Sequence, residues 1–171
     1  MSKPTLTEPA MQKQVKKINL NDLYPLIKET LDSGRSFILT PTGSSMNPFI
    51  AGGRDIVTLS PITEPLKKYD VPFYRRKNGD FVLHRIIRVE KDGTYTCCGD
   101  HQWNLERGLT SEQMIAVATA YVRKGKSFTN KNLWYRIYCR LWTMTIPVRR
   151  TIFNIHQKWN HRKILVFRKR K

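Results

Sequence analysis

The chain has 171 residues, enough for one domain with a real core and an appendage but not for two large domains. Its formal charge of +18 is unevenly placed: residues up to Val122 carry 16 basic and 13 acidic side chains, whereas the remaining 49 carry 15 basic and no acidic ones. The body is therefore close to neutral and the tail faces an anionic partner, while three cysteines, two of them adjacent, exclude a disulfide framework and metal-ligand spacing.

Residues 1–17 are polar, hold Pro4 and Pro9, and lack the apolar run of a secretory signal, which predicts a flexible arm. No stretch reaches the 18 uninterrupted apolar residues of a membrane span. The expectation is a protein kept on the cytoplasmic side and peripheral at a membrane. Leu20, Leu23, Tyr24, Ile27 and Leu31 recur at helical spacing, with Asn19 or Asn21 as N-cap, Pro25 in the first turn and Gly34 beyond the end. The pattern then changes to short β-type runs at Phe37–Thr40, Asp55–Ser60, Val71–Arg75, Phe81–Glu90, Thr94–Cys98 and Ile115–Arg123, with Lys91-Asp92-Gly93 as a hairpin turn. Past them, Leu133, Trp134, Ile137, Tyr138, Leu141 and Trp142 form an apolar stripe, and Val148, Ile152, Ile155 and Trp159 begin a second one after Pro147. The fold class is thus mainly β, a coiled antiparallel sheet with an N-terminal helix and a C-terminal basic amphipathic helical appendage. Boundaries fall at 1–17 for the arm, 18–126 for the body and 127–171 for the tail.

Three segments within the β region carry chemistry. In Pro41-Thr42-Gly43-Ser44-Ser45-Met46-Asn47-Pro48 a small-residue turn exposes a hydroxyl and leaves backbone N–H groups free for a developing oxyanion. Taken alone, such a turn is usually an ordinary loop. In Phe81-Val82-Leu83-His84-Arg85-Ile86-Ile87 a histidine interrupts an apolar strand, and period-two alternation sets Val82, His84 and Ile86 on one face. An imidazole there favours its neutral form and can act as a base, although a lone buried histidine is more often structural. Cys98-Gly99-Asp100-His101-Gln102-Trp103-Asn104-Leu105-Glu106 follows and supplies carboxylates able to orient the ring.

Taken together, the Ser-Met-x-Pro box, the Gly53-Arg54-Asp55-Ile56-Val57 strand, the His84-Arg85-Ile86 strand and the Gly99-Asp100 box resemble the signal peptidase family, which includes the related self-cleaving repressors. The resemblance runs from about Phe37 to Val122. Many bacterial members have lysine at the base position, so His84 resembles the Ser-His branch. The resemblance implies a coiled antiparallel β peptidase domain with Ser45 as nucleophile, His84 as general base and Asp100 as orienting acid, ranked ahead of Glu106. It further implies an oxyanion hole built from the Ser45 backbone with Gly43 and Ser44, and neither metal nor cofactor. The substrate would be a leader, signal-type or precursor peptide bound as an extended strand, walled by Phe37–Thr40 and Val82–Ile86.

For the tail, one account packs the helices on the body. The other makes Trp134, Arg136, Arg140, Trp142, Arg149 and Arg150 a surface for an anionic membrane or a membrane-protein partner. The alternative function is a basic nucleic-acid-binding protein, or an inactive peptidase fold that binds without cutting. No recognisable nucleic-acid module is present in the sequence.

Overall fold

The computed structural model describes residues 19–149 and residue 151. The arm over 1–17, Arg150 and the second stripe's Ile152, Ile155 and Trp159 lie outside them.

The first helix, α1 (Leu20–Asp32), begins at Asn19, whose side chain accepts the N–H of Asn21 at 3.0 Å; such a cap contributes about 1 kcal/mol. Pro25 falls in the second turn, not the first, so the helix forgoes the bond that residue 25 would have donated. Ile27 and Leu31 form its buried side. Gly34 ends it in the left-handed region (φ +76°), donating to the Leu31 carbonyl at 2.9 Å.

Among the described residues nine strands follow: β1 (Phe37–Leu39), β2 (Ile56–Ser60), β3 (Pro72–Arg75), β4 (Phe81–Leu83), β5 (Arg85–Val89), β6 (Tyr95–Cys98), β7 (Glu106–Leu109), β8 (Met114–Arg123) and β9 (Lys126–Thr129). A curled antiparallel sheet runs β1-β2-β8-β3-β4 with β9 also on β8, and a second sheet runs β5-β6-β7. The fold is mainly β, as the run of short strands predicts. Two strands escape that reading: β7 is spelled Glu-Arg-Gly-Leu and β9 Lys-Ser-Phe-Thr, neither of which alternates like a half-buried strand. The run Phe81–Glu90 is also not one strand. It breaks at His84, where the chain leaves the larger sheet through β4 and enters the smaller one through β5.

The helix α2 (Leu133–Met144) closes the body. Tyr135 and Cys139 join Ile27, Phe49, Val57 and Tyr121 in the larger core, so the boundary placed at residue 126 runs through continuous packing. Phe49 is its hub, with ring centroids 4.9 Å from Tyr121, 5.0 Å from Tyr135 and 5.3 Å from Tyr138. A smaller core of Tyr74, Val82, Ile86, Tyr95, Cys97 and Leu109 lies where the two sheets meet. Among the described residues, no helix is long and apolar enough to cross a membrane.

Candidate active site

Strand register brings three side chains of distant sequence position to one point. Tyr74 pairs with Val82 across β3 and β4; beyond His84, Ile86 pairs with Cys97, and Cys97 with Glu106. The result is a His84 ring 2% exposed, with Nδ1 3.0 Å from Glu106 Oε1 and 3.3 Å from the Tyr74 hydroxyl. A carboxylate only accepts, so Nδ1 carries the proton and Nε2 presents a lone pair. Arg76 grips the same carboxylate with two bonds, 2.8 Å to Oε2 and 2.5 Å to Oε1, the oxygen that also meets His84. Burial alone would push the Glu106 carboxyl up, but the Arg76 and His84 bonds outweigh it and hold the acid well below its ordinary range. The same burial, with Glu106 beside it, drives the Tyr74 hydroxyl well above its usual value and keeps it protonated.

Ser45 sits half-buried in the loop between β1 and β2, while Ser44 is exposed. The loop is held down by Met46, Phe49 and Ile50, all in the larger core, and the Asn47–Pro48 bond is cis. The Ser45 carbonyl accepts the N–H of His101 at 2.8 Å, which ties the loop to the turn after β6. Glycine is required at residue 99 of that turn. A Cβ there would stand 2.5 Å from the Ser45 carbonyl oxygen and 3.1 Å from His84 Nε2. Gly99 is thus the point at which the Ser45 backbone, the turn and the basic nitrogen of His84 close on one another. Ser45 and His84 line one cavity of about 300 Å³. Of the expected walls, Leu39, Val82, Leu83 and His84 line it and Phe37, Ile38, Thr40, Arg85 and Ile86 do not; Leu20, Ile50 and Phe73 join them. Among the described residues the N–H of Ser45 is donated to no protein group, and its hydroxyl is likewise unengaged. Gly43 and Ser44 are both exposed beside it.

The two candidate acids separate. Asp100, ranked first from sequence, lies away from the histidine: it accepts two hydrogen bonds from Arg85, 2.9 Å to Oδ1 and 2.8 Å to Oδ2, and one from the Tyr138 hydroxyl at 3.1 Å. Arg85 is fully buried, and its remaining nitrogen donates to the Tyr69 carbonyl, the Tyr135 hydroxyl and Cys139 Sγ. The Asp100 carbonyl accepts Trp142 Nε1 at 2.9 Å and an Arg149 guanidinium N–H. Asp100 therefore fastens α2 to the body, and Glu106 is the acid in contact with the ring. Arg76 and Tyr74 were not singled out from sequence; Arg76 stands in Arg75-Arg76-Lys77, which has the pattern of a solvated basic run.

Of the surface residues expected in the tail, Trp134, Arg136 and Arg140 are exposed, whereas Trp142 and Arg149 turn toward Asp100. The three cysteines are buried free thiols. Burial pushes Cys97 up to about 12 and Cys98 up to about 11, which leaves both as inert thiols at neutral pH.

No family model, no curated protein and no solved structure matches the chain.

Proposed function

We propose that the chain is a serine endopeptidase of the signal peptidase type, Ser-His branch, which cleaves a leader, signal-type or precursor peptide through an acyl-enzyme. The observation that carries this reading is the His84 ring, fixed by Glu106 at Nδ1 and turned with Nε2 toward the Ser45 backbone across Gly99. His84 Nε2 takes the proton of the Ser45 hydroxyl as Oγ attacks the peptide carbonyl carbon, and the oxyanion forms against the Ser45 N–H. Nε2 then gives that proton to the leaving nitrogen, which departs as an amine and leaves an ester on Ser45. Water attacks the ester with Nε2 again as base, releasing a carboxylic acid and restoring the hydroxyl. Glu106 stays ionised throughout and stabilises the imidazolium; Arg76 keeps it so.

We also propose that α2 rests on an anionic membrane surface. Supporting this is its outward stripe of Leu133, Trp134, Ile137, Leu141 and Met144, bordered by Arg136 and Arg140, in a region without acidic residues.

Incubation with a peptide library, read by mass spectrometry, tests the enzymatic reading. Wild type should produce defined cuts, Ser45→Ala should lose turnover by on the order of 10⁴ to 10⁶, and Ser44→Ala should keep most of it. Equal cleavage by wild type and Ser45→Ala would overturn the assignment.

A further inference from the structure

A second cavity, of about 780 Å³, opens on the other side of the nucleophile loop. Asn47 and Pro48, directly after Ser45 and Met46, form one wall, and Gln102 lines both this cavity and the catalytic one. Its apolar surface comes from Pro48, Ala51, Trp103 and Trp142, and its cations are Arg54, Arg123, Lys124 and Arg149.

Those four cations are not equally free. Arg54 is neutralised by Asp55, which it grips at 2.7 and 2.8 Å. Asp100, the carboxylate on the cavity wall, is taken up by buried Arg85. Among the described residues Arg123 donates to the Pro48 carbonyl, and Arg149 donates to the carbonyls of Asp100 and Trp142 and lies over the Trp142 ring, 4.7 Å from its centroid. In both guanidinium groups Nε is buried and has no acceptor among the described residues. Lys124 is exposed at the β8–β9 turn. Three positive charges thus border a largely apolar hollow, and none of them is ion-paired with a carboxylate among the described residues. The chain beyond Val122 has no acidic residue with which to fill it.

We infer that this cavity is a substrate subsite for an acidic segment of the peptide, taking an Asp or Glu carboxylate on Arg123, Lys124 and Arg149 and a neighbouring apolar side chain against Pro48 and Ala51. The inference rests on the endopeptidase reading and adds to it the charge of the substrate. Two features favour a peptide over another anion. The hollow adjoins the loop that carries the nucleophile, so a chain passing Ser45 reaches it within a few residues at about 3.3 Å each. Its mixed apolar and cationic lining suits alternate side chains of an extended strand better than a bare inorganic ion.

The test uses the full chain with a fluorescent extended peptide, made in an acidic form and in an isosteric Asn/Gln form. Binding is measured on Ser45→Ala and cleavage on wild type, in parallel with Lys124→Gln and Arg123→Gln. The acidic form should bind about tenfold or more tightly, the gap should narrow as salt rises, and each variant should shrink the acidic-to-neutral ratio of kcat/KM. Lys124 lies at an exposed turn, so its variant folds and keeps the comparison valid if Arg123→Gln does not. Equal binding and cleavage of the two forms would overturn the subsite and leave the peptidase intact. Acid-dependent binding lost in Lys124→Gln, with no peptide cut by wild type, would retain the cavity and sink the peptidase. Soluble short-chain phosphatidylserine occupying the cavity while acidic peptides do not would assign the anion to lipid and overturn the peptide inference.

Discussion

Two carboxylates stand near the candidate site, and at the level of single residues their amide variants should behave in opposite ways. Glu106→Gln removes the acceptor that fixes the His84 tautomer and stabilises the imidazolium, so kcat should fall by about 10² to 10⁴ with a modest change in thermal midpoint. Asp100→Asn leaves fully buried Arg85 without its counter-charge, a loss of about 3 to 5 kcal/mol in comparable settings. Its thermal midpoint should drop sharply while the folded fraction keeps turnover. A Glu106→Gln enzyme at full rate, beside an Asp100→Asn enzyme that is stable but dead, would reverse the assignment. Acid stability follows from the same groups. The Arg54 bond, against the opposing cost of burial, holds Asp55 down at about 2, and Glu106 is likewise depressed. Groups whose folded values lie below their unfolded ones stabilise fully above the ordinary carboxylate range, roughly pH 4, and lose that contribution as pH falls through the folded values. The thermal midpoint should therefore decline between about pH 4 and 2, and Asp55→Asn should flatten that decline; an unchanged slope would show that Asp55 is not among its causes.

At the level of elements, what the sequence reveals depends on whether a signal is local. α1, the Lys91-Asp92-Gly93 hairpin and most strands follow from periodicity and turn chemistry over a few residues. The break at His84 does not, because alternation continues smoothly from Val82 to Ile86 while the strand changes partners, and partner choice is a long-range property. The choice between acids is hidden for the same reason: Asp100 is nearer to Cys98 in sequence, yet β6–β7 pairing delivers Glu106 to the ring. In α2 the sequence shows one apolar stripe, Leu133, Trp134, Ile137, Tyr138, Leu141 and Trp142, and its pattern does not say that Tyr135 and Cys139, off that stripe, pack inward. The hydroxyl of Tyr135 and the sulfur of Cys139 do, because both meet Arg85. Hence a chain cut after residue 129, which the charge division suggests would still fold, should lose cooperative unfolding. It would leave Arg85 and Phe49 uncovered. Calorimetry decides this: an unaltered transition in the shortened chain would mean that α2 is not part of the folding unit.

For the molecule as a whole, the packed side of α2 leaves an outward face of large apolar side chains. Leu133, Trp134, Leu141 and Met144 are 67%, 78%, 62% and 72% exposed, and Ile137 lies among them on the same side of the helix. A soluble surface rarely gathers so many large apolar groups in one stripe. Arg136 and Arg140 border it, and the 49 residues after Val122 carry 15 basic side chains and no acidic one. Insertion of the stripe and attraction to headgroups are separable contributions. In vesicle co-sedimentation, Trp134→Ser should weaken binding to neutral and anionic membranes alike. Arg136→Gln and Arg140→Gln should each weaken only the anionic case, by about fivefold, since a basic residue near such a surface contributes about 1 kcal/mol. Raising salt should reproduce the arginine effect on wild type and spare the tryptophan effect, because screening acts on charge and not on apolar burial. Wild type that ignores both kinds of vesicle but binds duplex nucleic acid with steep salt dependence would assign the tail to polynucleotide and overturn the membrane proposal.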